Sequence, residues 1–421
     1  MDTQQAPLSL WRQMIQQFSL SLYELSDDKI TADPEKFQGY DFVFECSSAT
    51  IYLIVNDVMM QANKQEVDSA KVREWKKKAV NTLIKRHTQL YLKNNQSMVE
   101  GKTSIGDKAV YFVGLTSLSF EDPDEELGSS SYAVDCEYGS QFFAEDCVLD
   151  LDDELSVLQI FSHRNFVTIL SQLVTPSDLT TFLDFHRGQL TSFVSFKNES
   201  TLLTQFLRAP NFHQRAIRIQ EQLVDAELID QIEPHLLRAV EPNQTEFANA
   251  LMAEIQKNTR MWYQLFNSLL KRYRKAGQPL SPESVDILAD ESMYTYACLV
   301  EKILAYRKAD QESRWDGYTS HAHSYHIFGR QYLMVFYAQN ESSSLSAENV
   351  RLSYQDLLSD LNAQMQTPVM DELFLIGVEF RPCEDSVNTE VYLDIFHQKG
   401  AFIDVNTKRL HERLAQLKAQ L

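Results

Sequence analysis

The sequence predicts a multi-domain α+β or α/β protein in three parts. An α/β domain covers 1–154, a helical domain 155–315, and a small α/β domain 316–421. Three observations carry this expectation. At 421 residues the chain exceeds what one hydrophobic core usually serves. Hydrophobic residues make up 44%, with 24 Phe and 18 Tyr, which is ample for packed cores and too much for global disorder. Strand-type runs gather toward the two ends, while three-to-four apolar spacing fills the middle. Only 12 Gly and 11 Pro are present, so tight turns are few.

In chain order, Leu10, Met14, Phe18 and Leu22 fall four apart and predict an amphipathic helix over 8–25. Residues 41–57 predict a hairpin: DFVFEC, a turn at SSAT, then IYLIVND. A long basic helix follows over about 66–93, with Val72, Trp75, Ala79, Leu83 and Leu90 on one arc for a core. Residues 107–120 return as a strand. From Glu121 to Glu154 there are thirteen acidic residues and no Lys or Arg, which marks the boundary of the first domain. Six helical segments are predicted between 155 and 310, the first including VLQIFSHRNFVTILSQLV. Pro176, Pro210, Pro234, Pro242 and Pro282 fall between them, where helices start and stop. In the tail, QYLMVFYAQ, ELFLIGVEF and TEVYLDIF read as strands, with helices over 346–365 and from about Thr407.

The net charge of −20 repels nucleic acid in bulk, so any DNA or RNA contact must use a local basic patch. The five cysteines, Cys46, Cys136, Cys147, Cys298 and Cys383, are odd in number and widely spaced, with no CxxC. They fit neither a disulfide framework nor a zinc knuckle, and a reducing cytoplasm is expected. No charged segment leads into an apolar core at the start, and no apolar run reaches the roughly 18–20 residues of a membrane helix. A cytoplasmic protein with no membrane contact is therefore predicted.

A hairpin with acids on its strands suits metal-assisted phosphodiester hydrolysis. That chemistry needs two carboxylates on Mg²⁺ and a Lys near the attacking water. Asp41, Glu45 and Asp57 are the catalytic candidates, with Asp41 and Glu45 as metal ligands. In one register Asp41 is the first acid, and Ile54-Val55-Asn56-Asp57 stands where Glu-x-Lys belongs. In the other, Asp33 is the earlier acid, Glu45-Cys46-Ser47 is the motif, and Ser47 replaces the Lys. Neither register is complete, and a plain hairpin with solvent-facing acids accounts for the same residues. The helix beyond carries Lys71, Lys76, Lys77, Lys78, Lys85 and Arg86, candidates for contact with phosphates. Its bland alternative is a solvated polar face.

The order of hairpin then basic helix resembles the metal-binding heart of restriction-endonuclease-like, PD-(D/E)xK nucleases. A second stretch is similar to a segment of uncharacterised bacterial proteins with a nuclease-like N-terminal region. Its residues here are Leu173, Thr175, Asp178-Leu179-Thr180-Thr181-Phe182-Leu183, Arg187 and Glu199-Ser200-Thr201-Leu202-Leu203. FLIGVEF and EVYLDIF are similar to the closing strands of those proteins. The resemblance implies a restriction-endonuclease-like N-terminal domain, degenerate here, and a role in nucleic-acid metabolism or phage defence. Two rivals stand beside that expectation. One is an active Mg²⁺ nuclease. The other is a protein-interaction scaffold, or a homo-oligomer, without nucleic-acid contact.

His321, His323 and His326 form the densest histidine group, and His397 or Asp394 could complete a zinc site with them. Cys46 beside His87 is a nucleophile pattern, against the commoner buried strand cysteine. There is no Gly-rich phosphate loop, GxSxG or HExxH. Leu410, Leu414, Leu417 and Leu421 form a narrow seam suited to a partner helix or to the chain's own domain.

Overall fold

The computed structural model describes residues 11–25, 39–46, 48–56, 78–90 without 80 and 88, 108–116, 158–191, 245–275, 291–313, 320–327, 330–338, 370–382 and 389–402. It also describes isolated positions at 30, 31, 33, 37, 203, 204, 206, 207, 285, 288 and 289. The chain is of mixed α/β type and divides into two compact units. One is Met1–Ala209 with Val285–Ser292, the other Pro210–Ser284 with Met293–Leu421.

The first unit is built on a four-stranded mixed sheet. Its strands, in spatial order, are β1 (Phe42–Glu45), β2 (Ala49–Asn56), β3 (Ala109–Thr116) and β4 (Leu158–Ser162). β1 and β2 form the expected hairpin, with Phe42 opposite Leu53 and Glu45 opposite Thr50. β2 and β3 are parallel, as are β3 and β4. Parallel neighbours need a long crossover, and the basic helix lies within the one between β2 and β3. Strands buried on both faces lose alternation, which explains the unbroken apolar run of β2.

One face of the sheet carries Val43, Tyr52, Ile54, Val110, Phe112, Leu158 and Ile160, packed against Leu83 and Ile84 of the basic helix. Tyr52 and Phe112 stack with ring centroids 5.3 Å apart. Gly114 lets the helix come close, since a Cβ there would meet Leu83 Cδ1 and Ile160 Cγ1 at 3.3 Å. Gly39, before β1, has φ of 100°, a region that favours glycine. The opposite face is lined by α1 (His163–Gln172) and α2 (Pro176–Thr191), where Phe161 meets Phe166 and His186.

The residues 158–162, expected as the start of a helix, form β4 instead. All five are buried, Gln159 and Ser162 included, and so short a buried segment does not separate strand from helix by periodicity. The switch comes at Ser162, whose hydroxyl accepts from Asn165 N at 3.2 Å as the N-cap of α1. β4 lies beyond residue 154 yet pairs with β3. α2 opens at Pro176 as expected, and the Thr175 hydroxyl accepts from Asp178 N at 3.1 Å. The helix expected over 8–25 is interrupted. Residues 11–15 are helical and Ser19–Tyr23 is a 3-10 turn, so Trp11, Ile15, Leu20 and Tyr23 are buried while Met14, Phe18 and Leu22 are half-buried.

The second unit has its own four-stranded sheet: β5 (Ser320–Ile327), β6 (Arg330–Ala338), β7 (Met370–Pro382) and β8 (Thr389–Phe402), in that order. β5 is antiparallel to β6, β6 is parallel to β7, and β7 and β8 close the unit as an antiparallel hairpin. Rings line one face, with Tyr332 stacked on Phe374 at 5.2 Å and Phe374 on His397 at 4.5 Å. Helix α3 (Thr245–Lys275) meets α4 (Met293–Ser313) through Trp262 stacked on Tyr296 at 5.0 Å. The Thr259 hydroxyl reaches Met293 O at 2.9 Å. Arg272 donates to Leu393 O and Tyr273 to Asp394, while Tyr306 stacks on Phe336 at 4.1 Å. Both helices thus pack on this sheet. The helix expected from Pro282 onward is continuous only from Met293. Among the described residues no helix is long and apolar enough to cross a membrane.

Candidate functional site

Asp41 sits just before β1, on the sheet face covered by the basic helix. Its Oδ2 accepts from Val55 N at 2.7 Å and from Arg86 Nη1 at 2.7 Å, and its Oδ1 accepts from Arg86 Nη2 at 3.0 Å. Arg86 Nη2 also donates to Gly39 O at 2.6 Å. The pair is bidentate, the strongest geometry for a guanidinium on a carboxylate. Asp41's side chain is 10% exposed and Arg86's 36%. Arg86, a phosphate-contact candidate, is therefore turned onto the hairpin. The fork ties three pieces of backbone together: the entry to β1, the end of β2 and the helix.

Glu45 lies at the other end of β1. Four residues of strand separate it from Asp41 by roughly 13 Å, too far for one Mg²⁺ to bridge. Its Oε1 accepts from Lys108 Nζ at 3.2 Å. Lys108 arrives there through parallel pairing, because Ala109 sits opposite Ala49 and Ala109 N donates to Ser48 O at 2.9 Å. Tyr52 reports on this corner. Burial first, then the charges of Glu45 and Asp33, push its hydroxyl pKa up. The acids of the second register, Asp33 and Glu45, thus share a neighbour in Tyr52, with Lys108 as the local cation. Asn56, at the position of the missing Lys in the first register, donates from Nδ2 to Ala79 O at 3.1 Å and pins the helix backbone.

Of the basic candidates, Lys78 and Lys85 are exposed and lie seven residues apart, two turns of the same helix face. Of the expected core arc, Ala79 and Leu83 are at 0% exposure and Leu90 is partly buried, while Val72 and Trp75 lie outside the described residues. Asp57, Lys71, Lys76 and Lys77 lie outside the described residues, as do the acidic segment 121–154 and the leucine seam from 410. No group of three or more His, Cys, Asp or Glu able to hold a metal occurs among the described residues.

His321 and His323 pair with Phe336 and Met334, while His326 pairs with Gln331 and has the opposite parity. β8 is the far edge of that sheet, about 14 Å from β5 at three strand spacings, so His397 and Asp394 stand apart from them. Cys46 packs with Tyr23 and Ala289, whereas His87 lies against Phe112 with centroids 4.6 Å apart, so these two do not form a dyad.

A buried polar pair escaped sequence reading. His186 Nδ1 lies 2.7 Å from Gln159 Oε1, an amide oxygen that only accepts, so the imidazole donates. Phe161 and Phe182 flank the ring, and burial pushes its pKa down to about 3. No spacing rule links a glutamine on β4 to a histidine on α2. No protein-family model, no curated protein and no solved structure matches this chain.

Proposed function

We propose that this chain is a nucleic-acid-contacting protein whose N-terminal unit is a degenerate restriction-endonuclease-like domain that binds without cutting. The observation that supports this is the engagement of Asp41. Three hydrogen bonds and a guanidinium charge occupy both of its oxygens, and Mg²⁺ requires anionic oxygens around a near-octahedral ion. The fold of the hairpin does not depend on a metal when an arginine supplies the positive charge, and a fold outlives its chemistry. Phosphate contact falls to the helix face with Lys78 and Lys85, joined in sequence by Lys71 at the same seven-residue interval. A role in nucleic-acid metabolism or phage defence belongs to this reading through the family resemblance.

The test is fluorescence anisotropy with single- and double-stranded DNA and RNA across a salt series. Binding is expected at low salt and should fall as salt rises, because counterions are released. Lys78→Glu/Lys85→Glu is expected to weaken it by at least about tenfold, roughly 1.4 kcal/mol. Absence of binding at low salt would move the weight to a protein-interaction scaffold, the function the charge of −20 favours.

A second reading has its own support. An active Mg²⁺ nuclease would use Asp33 and Glu45, both close enough to Tyr52 to raise its pKa, with Lys108 at 3.2 Å from Glu45 in place of the missing motif lysine. It requires cleavage that disappears in Glu45→Gln and survives in Asp41→Asn.

A further inference from the structure

The N-terminal helical turn and the start of α1 bring together a thioether and an imidazole. Met14 Sδ lies 2.8 Å from His163 Nε2. The imidazole ring lies against Trp11, with centroids 4.2 Å apart and planes at 58°. Trp11 is buried, Met14 is half-buried and His163 is exposed, so the donor pair is open to solvent beside an indole wall. The segment bearing Trp11 and Met14 is fixed independently of this contact. Arg12 pairs with Glu24 at 3.4 Å, and the Ser19 hydroxyl donates to Val174 O.

We propose that Met14 and His163, walled by Trp11, form a binding site for a soft monovalent cation of the Cu(I) class. A thioether is a poor ligand for Mg²⁺ or Ca²⁺, which take oxygen, and it is not among the usual zinc donors. Thioether and imidazole together select Cu(I). Two neutral donors suit a monovalent ion. The 2.8 Å separation is shorter than two non-bonded donors prefer. A two-coordinate ion of this class favours a near-linear arrangement, so with bonds of roughly 2.0 and 2.3 Å it would hold the donors about 4 Å apart. Methionine's three side-chain torsions allow that opening. The contact is independent of the hairpin acids and of any nucleic-acid binding.

The experiment uses the full chain labelled with ¹³C-methyl methionine and titrated with Ag(I), a redox-inert probe, in chloride-free buffer. The cysteines also take silver, so the readout is the Met14 methyl resonance, assigned by its loss in Met14→Leu. The expected result is a saturable shift of that resonance, lost in His163→Gln. The other methionine methyls serve as the check that the variant is folded. A Met14 resonance that stays in place while silver is consumed would overturn the site. So would a shift of equal size in His163→Gln, and the contact would then be a simple N–H to sulfur interaction.

Discussion

Asp41 accepts a backbone amide and both arms of Arg86, and each bond holds a different part of the first unit. Removing the charge leaves the guanidinium partly buried with a weaker partner. Asp41→Asn is therefore expected to destabilise the protein by about 2 kcal/mol, read as a lower urea midpoint with unchanged slope. If Asp41 held Mg²⁺ instead, the wild type would gain stability from the ion by mass action and the variant would not. The acids themselves were legible in the sequence as hairpin residues with chemical potential. Their partners were not. Arg86 is 45 residues from Asp41, and Lys108 is 63 from Glu45. Only the packing of the helix and the parallel register of β3 bring them together.

At the scale of elements, patterns with a clear period or a clear boundary were legible, and a short strand leading straight into a helix was not. The hairpin, the strand at 109–116, the helix opening at Pro176 and the tail strands β6, β7 and β8 follow from alternation, buried runs and proline punctuation, whereas β5, rich in His and Ser, did not read as a strand. β4 was hidden because LQIFS has no alternation and runs directly into a capped helix. The N-terminal helix was overestimated because four-apart spacing ignores where Trp11 and Ile15 point once docked. The basic helix combines both kinds of face, and the two should separate on mutation. Leu83 is fully buried against Gly114, so Leu83→Ala is expected to cost about 3 kcal/mol in chemical denaturation. Lys85→Ala, on the exposed face, is expected to change stability by less than about 0.5 kcal/mol. Equal losses at both positions would mean that the helix does not pack as described.

At the scale of the whole molecule, the two units carry titratable groups, His186 buried and Glu301 half-buried, whose pH effects run in opposite directions. His186, in the first unit, has its pKa pushed down to about 3 by burial. Unfolded, it takes a proton near pH 6.5, so its contribution is complete above that pH. Stability is lost as pH falls from 6.5 toward 3, by about 1.4 kcal/mol per pH unit. Glu301, in the second unit, has its pKa pushed up to about 7, by burial first and then by Glu254. Its contribution is complete below pH 4.5 and is lost as pH rises to about 7. Calorimetry between pH 4.5 and 7 is expected to show the acid sensitivity of the first unit weakened in His186→Gln. Glu301→Gln should raise the melting temperature of the second unit at pH 8. The charge of −20 also belongs to this scale, since it makes any nucleic-acid contact local and salt-dependent. The most direct measurement of the central claim is incubation of the intact chain with labelled DNA and RNA in Mg²⁺ at low salt, scoring binding and cleavage together for wild type, Asp41→Asn and Glu45→Gln. The expected result is retained nucleic acid, uncut, with all three proteins. Cutting by the wild type that vanishes in either variant would contradict the account and establish a live metal site at the hairpin.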